Sequence, residues 1–416
     1  MKILLMSIGT RGDIEPFLAV GEMLHKHGHF VEFAFPAQLG TLVPTNFPFH
    51  PFTGAFLDLL ESDDGKFVIG GKAGFKKFRA LLRLYKVGMA VNKTLVKEQF
   101  DIVARTNPDL IIYSSKCNYP VIWSMMQKGK TVLLSPVPYL IHKFPGKPHL
   151  GFNTLQFEFL HSISYSIANF ALSKTIKSAL KQIPTDFKTS DKSILNTLKQ
   201  EKLAFTISPS LLKRPTELPS NVQILGYHER DKKLDWEIDV KLKKFLEVNK
   251  KVLFLTFGSM TNPYSLSNSK IIYEVLDELG IAVIVNKAAG GLVELDEYKD
   301  NPLFHFTSQI PYDWVLPKVY AAIHHGGSGT THSTLKFGCA TLILPHIIDQ
   351  YGWNTLVSEL GTGPKGLAIN KLTKSKLKPL IVELMNEPSF KNRAMEIGKS
   401  MANENLEKEL YEFIIN

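Results

Sequence analysis

One stretch of the sequence combines histidines, glycines and hydroxyls in a pattern that suits anion binding. Residues 324–331 read His-His-Gly-Gly-Ser-Gly-Thr-Thr and follow an apolar run that ends at Ile323. Glycines let the backbone approach an anion closely, and the free N–H groups at a helix start favour phosphate. A tight turn whose Ser or Thr caps a helix would use the same residues. The turn chemistry alone therefore leaves both interpretations open.

Other phosphate and metal motifs are missing from the sequence. The stretch lacks the Gly-Lys-Ser/Thr ending of a Walker loop and does not match the Gly-x-Gly-x-x-Gly dinucleotide fingerprint. The chain contains no Asp-x-Asp pair and no His/Cys cluster at metal-ligand spacing. The sequence thus predicts an anion site that uses no metal ion.

The elements that would position this site follow the same order in both halves of the chain. An apolar strand leads into a glycine-containing turn, an amphipathic helix and a second strand, which is the opening of a parallel α/β sheet. In the first half these parts are residues 2–8, 9–12, 16–27 and 29–35, with Gly28 closing the helix, and in the second they are 252–257, 258–259, 268–279 and 281–286. Further strands are predicted at 109–113, 131–135, 321–324 and 341–345.

This repetition predicts two domains, which agrees with a length of 416 residues. Residues 208–236 are rich in Pro and charge and suit a last strand followed by a linker. We expect an amino-terminal domain at 1–228, a carboxy-terminal domain at 229–398, and a final helix at 399–416 that packs back on the first domain. Two doubly wound halves of this kind would face a cleft at the carboxyl ends of their strands, where open sheets bind ligands.

Composition excludes several other classes of protein. Hydrophobic residues make up 44% and charged residues 21% of the chain, which is typical of a globular protein. No segment approaches the roughly 18 apolar residues of a membrane span, and the first apolar run is too short for a secretory signal. The two cysteines, Cys117 and Cys339, predict buried thiols in a reducing cytoplasm rather than a disulfide.

The net charge of +10 invites a search for an anionic partner. The lysines are spread along the chain, so nucleic-acid binding is not predicted. A lysine-rich solvated surface is the simpler interpretation, and peripheral association with an anionic membrane is a further hypothesis.

The segments that flank the histidine and glycine stretch give it a context. Residues 309–314, Gln-Ile-Pro-Tyr-Asp-Trp, precede it, and residues 345–354, Pro-His-Ile-Ile-Asp-Gln-Tyr-Gly-Trp-Asn, follow it. With residues 9–17, Gly-Thr-Arg-Gly-Asp-Ile-Glu-Pro-Phe, and 257–259, Phe-Gly-Ser, this assembly resembles the family 1 (UDP-glycosyltransferase) type of the GT-B glycosyltransferases. It is most similar to sterol glucosyltransferases and to bacterial natural-product enzymes of the macrolide and glycopeptide type. The resemblance spans most of the chain but not residues 52–203.

The resemblance implies a GT-B fold, with two Rossmann-like domains facing each other across a cleft, and it assigns donor-binding residues. His324 would contact the donor phosphate, and the diphosphate would be held by Ser259, Gly327, Ser328, Gly329 and Thr330. The backbone of Ile310 would read the nucleobase, with Gln309 and Trp314 in the loop around it, and Asp349 and Gln350 would bind sugar hydroxyls. Taken singly, His324 could be a core imidazole, Asp349 a helix cap and Trp314 a packing residue.

On the acceptor side the resemblance points to Gly12 and Asp13. A carboxylate at position 13 could take the proton of an acceptor hydroxyl. Because a helix is predicted to begin near Pro16, Asp13 would lie just before a helix start, which stabilises the anion and weakens it as a base. Catalysis is the preferred interpretation. Many plant relatives place a histidine at the equivalent turn, often with an aspartate partner on a later strand. The corresponding residues here, 113–116, Tyr-Ser-Ser-Lys, offer no acid.

An aromatic stripe lies in the predicted helical region 152–180. Its members are Phe152, Phe157, Phe159 and Tyr165. Such a stripe is most often core, and here it could instead line an apolar acceptor pocket.

These features together predict a cytoplasmic, inverting, metal-independent hexosyltransferase. It would move glucose from UDP-glucose to a hydroxyl of a small hydrophobic acceptor such as a sterol, a flavonoid or phenol, or a macrolide, with no cofactor. A dTDP-sugar donor remains open, and so does the oligomeric state. The alternatives are a nucleotide-sugar epimerase or hydrolase on the same fold, and a non-catalytic protein that binds sugar nucleotides.

Overall fold

The computed structural model describes residues 1–71, 74–153, 155, 157–230 and 236–416. Within these, the chain forms two compact units. The first contains residues 1–62, 82–230 and 405–416, and the second contains residues 63–81 and 236–404. The predicted linker includes residues 231–235, which lie outside the described residues.

The strands are short and buried. Their bounds are β1 Lys2–Met6, β2 Phe30–Pro36, β3 Phe49–Phe52, β4 Leu110–Tyr113, β5 Lys130–Ser135, β6 Lys202–Phe205, β7 Val222–Ile224, β8 Leu253–Thr256, β9 Val283–Asn286, β10 Phe304–Thr307, β11 Ala321–His324 and β12 Ala340–Ile343. Each strand predicted from apolar runs is present, with bounds that differ by a few residues.

The α-helices connect these strands and cover the sheets. Their bounds are α1 Arg11–Lys26, α2 Ala55–Glu61, α3 Asp63–Gly70, α4 Phe75–Thr106, α5 Tyr119–Met125, α6 Glu158–Leu180, α7 Asp191–Gln200, α8 Val240–Val248, α9 Ser265–Glu278, α10 Tyr312–Val315, α11 Ser328–Lys336, α12 Ile348–Glu359, α13 Lys374–Asn386, α14 Pro388–Ala402 and α15 Glu407–Ile415. Among the described residues, none of these helices has the length and apolar character needed to cross a membrane.

Both sheets are parallel Rossmann-like sheets. The first has the order β3-β2-β1-β4-β5-β6-β7, and the second has the order β10-β9-β8-β11-β12. In each sheet the chain returns past its first strand, so that β1 lies beside β4 and β8 lies beside β11. The gap beside each of these first strands is a topological switch point, where open sheets bind ligands at the carboxyl ends of their strands.

Helix α1 begins earlier than predicted. It starts at Arg11, not near Pro16, because Asp13 lies in its first turn and accepts a hydrogen bond from the N–H of Thr10 at 2.8 Å. Pro16 lies inside the helix and lacks the N–H that would bond to the carbonyl of Gly12. The helix ends before Gly28, whose φ of 82° makes it the glycine stop that the sequence predicted.

The end of the chain belongs to the first unit. Helix α15 buries Leu410 and Ile414 in the core beneath the first sheet, and Tyr411 stacks on His27 with ring centroids 4.1 Å apart. Cys117 and Cys339 are both buried free thiols, as predicted, and burial raises the pKa of each to about 12.

The aromatic stripe is not a core face. Helix α6 starts at Glu158, and Phe157 and Phe159 are 63% and 72% exposed. Tyr165 is buried at 1% exposure, so the four aromatics do not share one side of the helix. The core interpretation of these aromatics was wrong because their spacing is not helical, and the acceptor-pocket interpretation stays a prediction. Residues 154 and 156 of the predicted helical region lie outside the described residues.

Candidate functional site

The histidine and glycine stretch lies at the switch point of the second sheet. Strand β11 pairs with β8 so that His324 lies opposite Thr256. The turn after β8 contains Gly258 and Ser259, and the turn after β11 contains His325, Gly326 and Gly327. The fold therefore brings two turns that the sequence marked separately to the edge of the sheet where ligands bind.

The turn after β11 leaves donors free at the start of α11. Gly327 is the N-cap residue and makes no side-chain cap. The N–H of Thr331 donates to the carbonyl of Gly327 at 2.9 Å. By helix geometry the preceding N–H groups, those of Ser328, Gly329 and Thr330, have no partner inside the helix. A glycine cap thus replaces the Ser or Thr cap of the alternative interpretation, and it leaves the first turn able to bind an anion.

Gly326 is required by its surroundings. Its φ is 95°, a conformation that side chains disfavour. A Cβ at this position would lie 2.7 Å from the side chain of Ile343 and 3.2 Å from the Cβ of Gln350. The predicted phosphate and sugar segments therefore pack directly against each other here.

His324 is a buried hydrogen-bond donor without a partner. Its side chain is 0% exposed, and its Nδ1 accepts the N–H of Gly326 at 3.0 Å. The proton of the neutral ring is therefore on Nε2, which has no hydrogen-bond partner among the described residues. Burial lowers the pKa of His324 to about 3, so the ring is neutral near pH 7. Nε2 is closed off from solvent, and contact with a ligand would require its cover to shift.

His325 was missed by the sequence reasoning. Consecutive residues at a strand end point to opposite sides, so His325 faces a different environment from His324. Its ring lies between the two glycine turns: a Cβ on Gly258 would be 3.1 Å from its Cε1, and one on Gly327 would be 2.5 Å from its Nε2. Burial and the neighbouring His324 and His346 hold the pKa of His325 well below its ordinary value. Strand alternation was the signal that could have singled it out.

Ser259 is exposed in the turn after β8. The turn is fixed by the Thr256 hydroxyl, which accepts the N–H of Gly258 at 3.1 Å and the side-chain amide of Asn286 at 3.3 Å. The Tyr312 hydroxyl lies 3.2 Å from the same oxygen. Tyr312 thereby links this turn to the predicted nucleobase loop.

The residues of that loop differ in exposure. Gln309 is exposed and Ile310 is 7% exposed. Trp314 is half-buried, its ring centroid lies 4.8 Å from that of Trp236, and the Lys318 ammonium lies 4.2 Å from the ring centre. Trp314 packs on Trp236 in this structure, and its place in the nucleobase wall stays a prediction.

Gln350 caps its own helix. Its side-chain oxygen accepts the N–H groups of His346 at 2.7 Å and Ile347 at 3.2 Å. Gln350 thus caps the start of α12, and the assignment of Asp349 to a sugar hydroxyl stays a prediction. Only the NH₂ group of Gln350 remains for a sugar hydroxyl, while Asp349 is half-buried in the first turn of α12.

Two further buried imidazoles line this part of the second unit. Burial lowers the pKa of both His332 and His346 to about 4. The Nδ1 of His332 lies 2.8 Å from the carbonyl of Ser328. Because these rings are neutral near pH 7, an anion bound here would be attracted by backbone N–H groups and the helix dipole rather than by charged histidines.

Asp13 lies at the switch point of the first sheet. Its Oδ1 is 2.7 Å from the Lys116 ammonium, and its Oδ2 accepts the N–H of Thr10. Gly9 has a φ of 143°, and a Cβ there would overlap the Asp13 carboxylate and lie 2.8 Å from the Lys116 Nζ. Gly12 is exposed in the first turn of α1. The carboxylate is therefore held in one orientation and remains partly exposed.

Lys116 was missed because the sequence reasoning looked for an acid. The residue follows β4, and β4 lies beside β1, so the sheet places Lys116 next to Asp13 although 103 positions separate them. The Lys116 ammonium holds the Asp13 carboxylate in place through this ion pair. In the described part of the chain, no cluster of three or more His, Cys, Asp or Glu side chains could hold a metal ion.

Two family models match the chain. Residues 3–123 match the glycosyltransferase family 28 N-terminal domain. Residues 275–416 match the C-terminal domain of the erythromycin biosynthesis protein CIII-like family.

Among curated proteins, the chain is similar to a sterol 3-beta-glucosyltransferase of Arabidopsis thaliana, with 27% identity over 97% of this chain and 63% of that protein. The chain thus spans less than two thirds of that relative. Among solved structures it is similar to the glycotransferase of kitacinnamycin, with a TM-score of 0.71, 16% identity and coverage of 99% and 97% of the two chains. It is also similar to the glycosyltransferase VinC in complex with dTDP, with a TM-score of 0.62, 16% identity and coverage of 100% and 98%. At these identities the structural likeness shows a shared fold.

Proposed function

The chain belongs to the GT-B glycosyltransferases of the family 1 (UDP-glycosyltransferase) type, and from this premise we propose that it transfers glucose from UDP-glucose to a hydroxyl of a small hydrophobic acceptor. A sterol is the first acceptor to test, because a curated relative that matches 97% of this chain is a sterol 3-beta-glucosyltransferase. The observation that carries the proposal is the glycine-capped start of α11, whose free N–H groups lie at the switch point of the second sheet.

The donor half of the proposed reaction is electrostatic. When the glycosidic bond to the diphosphate breaks, negative charge develops on the β-phosphate. The N–H groups of Ser328, Gly329 and Thr330 and the positive end of the α11 dipole would stabilise that charge. A neutral His324 could add the N–H of its Nε2. The nucleotide would leave without assistance from a metal ion.

The acceptor half of the proposed reaction uses Asp13. The acceptor oxygen attacks the anomeric carbon, the bond from that carbon to the phosphate oxygen breaks, and the acceptor proton passes to the Asp13 carboxylate. Single displacement inverts the anomeric centre. Lys116 does not touch the reacting atoms in this scheme, and it acts as a positioning residue that holds one oxygen of Asp13 while the N–H of Thr10 holds the other.

The nucleobase of the donor, uracil or thymine, is a separate part of the proposal. A solved neighbour contains dTDP, so dTDP-glucose is the alternative donor. We also propose a cytoplasmic location, which the two buried free thiols support.

A mass-spectrometric acceptor screen tests the proposal. The protein is incubated with UDP-glucose or dTDP-glucose and with a sterol, a flavonoid, a macrolide or a simple phenol, and products are identified by the added hexose mass. We expect one acceptor class to gain a single hexose with UDP-glucose, and Asp13→Asn to abolish transfer while UDP still binds.

Three outcomes would contradict the proposal. Tight UDP-glucose binding without transfer to any acceptor would indicate a binding protein. Conversion of the sugar, or release of free UDP at the same rate without acceptor, would indicate an epimerase or hydrolase. Full transfer by Asp13→Asn would remove Asp13 as the base.

A further inference from the structure

The first half of α4 carries an apolar stripe that faces solvent. Its members are Phe75, Phe78, Leu82, Tyr85 and Met89, which recur every three or four residues and are exposed by 75%, 55%, 48%, 65% and 46%. The helix buries a different side, at Ala80, which is 1% exposed. An apolar stripe at helical spacing normally faces a core. Here the side chains of the stripe are exposed to solvent and are not packed in a core of the described residues.

A row of basic residues runs beside this stripe. Each of the first four stripe residues is followed directly by a basic residue, and these are Lys76, Arg79, Arg83 and Lys86. Between residues 75 and 97 the chain has seven Lys or Arg and no Asp or Glu. The Arg79 guanidinium lies 5.9 Å from the ring centre of Phe75. The lysines were treated as spread along the chain, and this acid-free block was missed because the family resemblance does not extend to residues 52–203.

We infer that the first half of α4 docks on the surface of an anionic lipid bilayer. Apolar side chains beside a basic row are the composition of helices that lie in the membrane interface, with the apolar stripe among the upper acyl chains and the cations on lipid phosphates. A nucleic acid would attract the cations but leave the aliphatic and aromatic stripe without an apolar environment. A second copy of the chain would bring two basic rows together. Of these three partners, only an anionic bilayer offers both an apolar environment for the stripe and negative charge for the basic row.

Helix α6 provides a matched comparison. It also exposes large apolar residues on one side, at Phe159, Ile163, Ile167 and Phe170. The residues beside these four are mostly Ser and Ala, and the nearby Lys174 pairs with Asp191 at 2.8 Å. The α6 surface thus has the apolar part without the adjacent basic row. If apolar exposure alone caused membrane binding, the two helices would contribute equally.

Vesicle flotation with the full chain tests the inference. Vesicles of phosphatidylcholine, with or without phosphatidylserine, are mixed with the wild type and three triple variants: Phe78→Ser/Leu82→Ser/Tyr85→Ser, Lys76→Gln/Arg79→Gln/Lys86→Gln, and the control Phe159→Ser/Ile163→Ser/Phe170→Ser. We expect wild-type binding only with phosphatidylserine and weaker binding at raised salt. Each α4 variant should bind at least about tenfold less, and the α6 control should bind as the wild type does. Thermal unfolding confirms that each variant is folded, and the charge variant keeps the test valid if the serine variant does not fold.

Several results would overturn the inference. These are equal binding to neutral vesicles, unchanged binding by both α4 variants, equal loss in the α6 control, and displacement of the vesicles by a short DNA duplex. A wild type that dimerises through α4 without lipid would assign the stripe to self-association. The inference does not rest on the proposed activity, because flotation needs no substrate. Failure of the proposed activity would be seen separately, in transfer to a water-soluble phenol without vesicles.

Discussion

One ring nitrogen of His324 is hydrogen-bonded and the other has no partner among the described residues, and this asymmetry defines what the residue can contribute. The N–H of Gly326 fixes the tautomer, and burial keeps the ring neutral. An unsatisfied buried donor costs on the order of 1–3 kcal/mol, which a bound phosphate oxygen would recover. Such a donor is more valuable in the transition state than in the free protein.

We predict that His324→Ala lowers kcat/KM by about 10²–10³-fold, which corresponds to roughly 2.7–4 kcal/mol of transition-state stabilisation. His332→Ala is the matched control, because His332 is also 0% exposed and its removal opens a similar cavity. The control should lower thermal stability without a comparable loss of kcat/KM. Equal kinetic losses in the two variants would assign the effect at His324 to packing.

Lys116 and Asp13 form the other informative pair of residues. We predict that Lys116→Met lowers kcat by about tenfold with little change in the KM for the donor, because the Asp13 Oδ1 loses its orienting contact. Lys116→Arg should retain most of the activity, since it keeps a cation within reach. Steady-state kinetics of the two variants provide the measurement. A KM effect alone, or equal losses in Met and Arg, would show that Lys116 does not position the base.

At the scale of elements, the turn between β11 and α11 depends on one glycine. Gly326 combines a positive φ with crowding by Ile343 and Gln350. Any added side chain would push α12 away from the sheet or distort the cap of α11. The same contact holds the predicted sugar segment against the predicted phosphate segment.

We predict that Gly326→Ala destabilises the protein by about 2–4 kcal/mol, from strain at positive φ together with overpacking, and weakens UDP binding. Gly280→Ala is the control, because Gly280 has a φ of 63° and no atom of the described residues lies within 4 Å of the added Cβ. The control should show the strain alone, about 1 kcal/mol, and normal UDP binding. Chemical denaturation and calorimetry measure the two effects. Equal destabilisation by both changes would mean that the contact with Gln350 does not matter.

At the scale of the whole molecule, several buried groups make stability depend on pH. Burial lowers the pKa of His324 to about 3 and those of His332 and His346 to about 4, against an ordinary value of 6.5. Below about pH 6.5 the unfolded chain binds protons that the folded chain does not. Stability therefore falls as the pH drops from about 6.5 towards 4, by up to about 1.4 kcal/mol per pH unit for each group.

Glu201 acts in the opposite direction. Burial raises its pKa to about 7 from an ordinary value of 4.5, and the Tyr113 and Thr131 hydroxyls donate to it. Between these values the folded state binds the additional proton, so stability falls as the pH rises through this window. The single Glu201 carboxyl offsets only part of the loss of stability that the three imidazoles cause on acidification.

We therefore predict that the midpoint temperature of thermal unfolding decreases when the pH is lowered from 7 to 5. Removing one buried imidazole with His346→Gln should flatten this dependence, and Glu201→Gln should steepen it. Unfolding midpoints of the three proteins across the pH series check the prediction. A midpoint that rises on acidification would show that the histidines are not the dominant groups.

The sequence by itself determined what depends on neighbouring residues. Strand β11 was predicted with the bounds it has, and the glycine stop at Gly28 was correct, because apolar runs and turn glycines act over a few positions. The parallel α/β class and the two-sheet organisation followed from the same local signals. The family resemblance also followed from short motifs in a fixed order. It was the route by which Asp13, His324 and Asp349 could be named as candidates.

Only the tertiary structure decided which distant residues meet and which surfaces are covered. It placed Lys116 on Asp13, packed Gln350 against Gly326, set Trp314 on Trp236 and left the first half of α4 uncovered. None of these follows from local periodicity, because each depends on strand order and on long-range packing. The start of α1 also moved, since the Thr10 and Asp13 contact outweighed the preference of Pro16 for a first turn. Short-range sequence signals determined the strands and helices, and the topology of the two sheets determined the contacts among them.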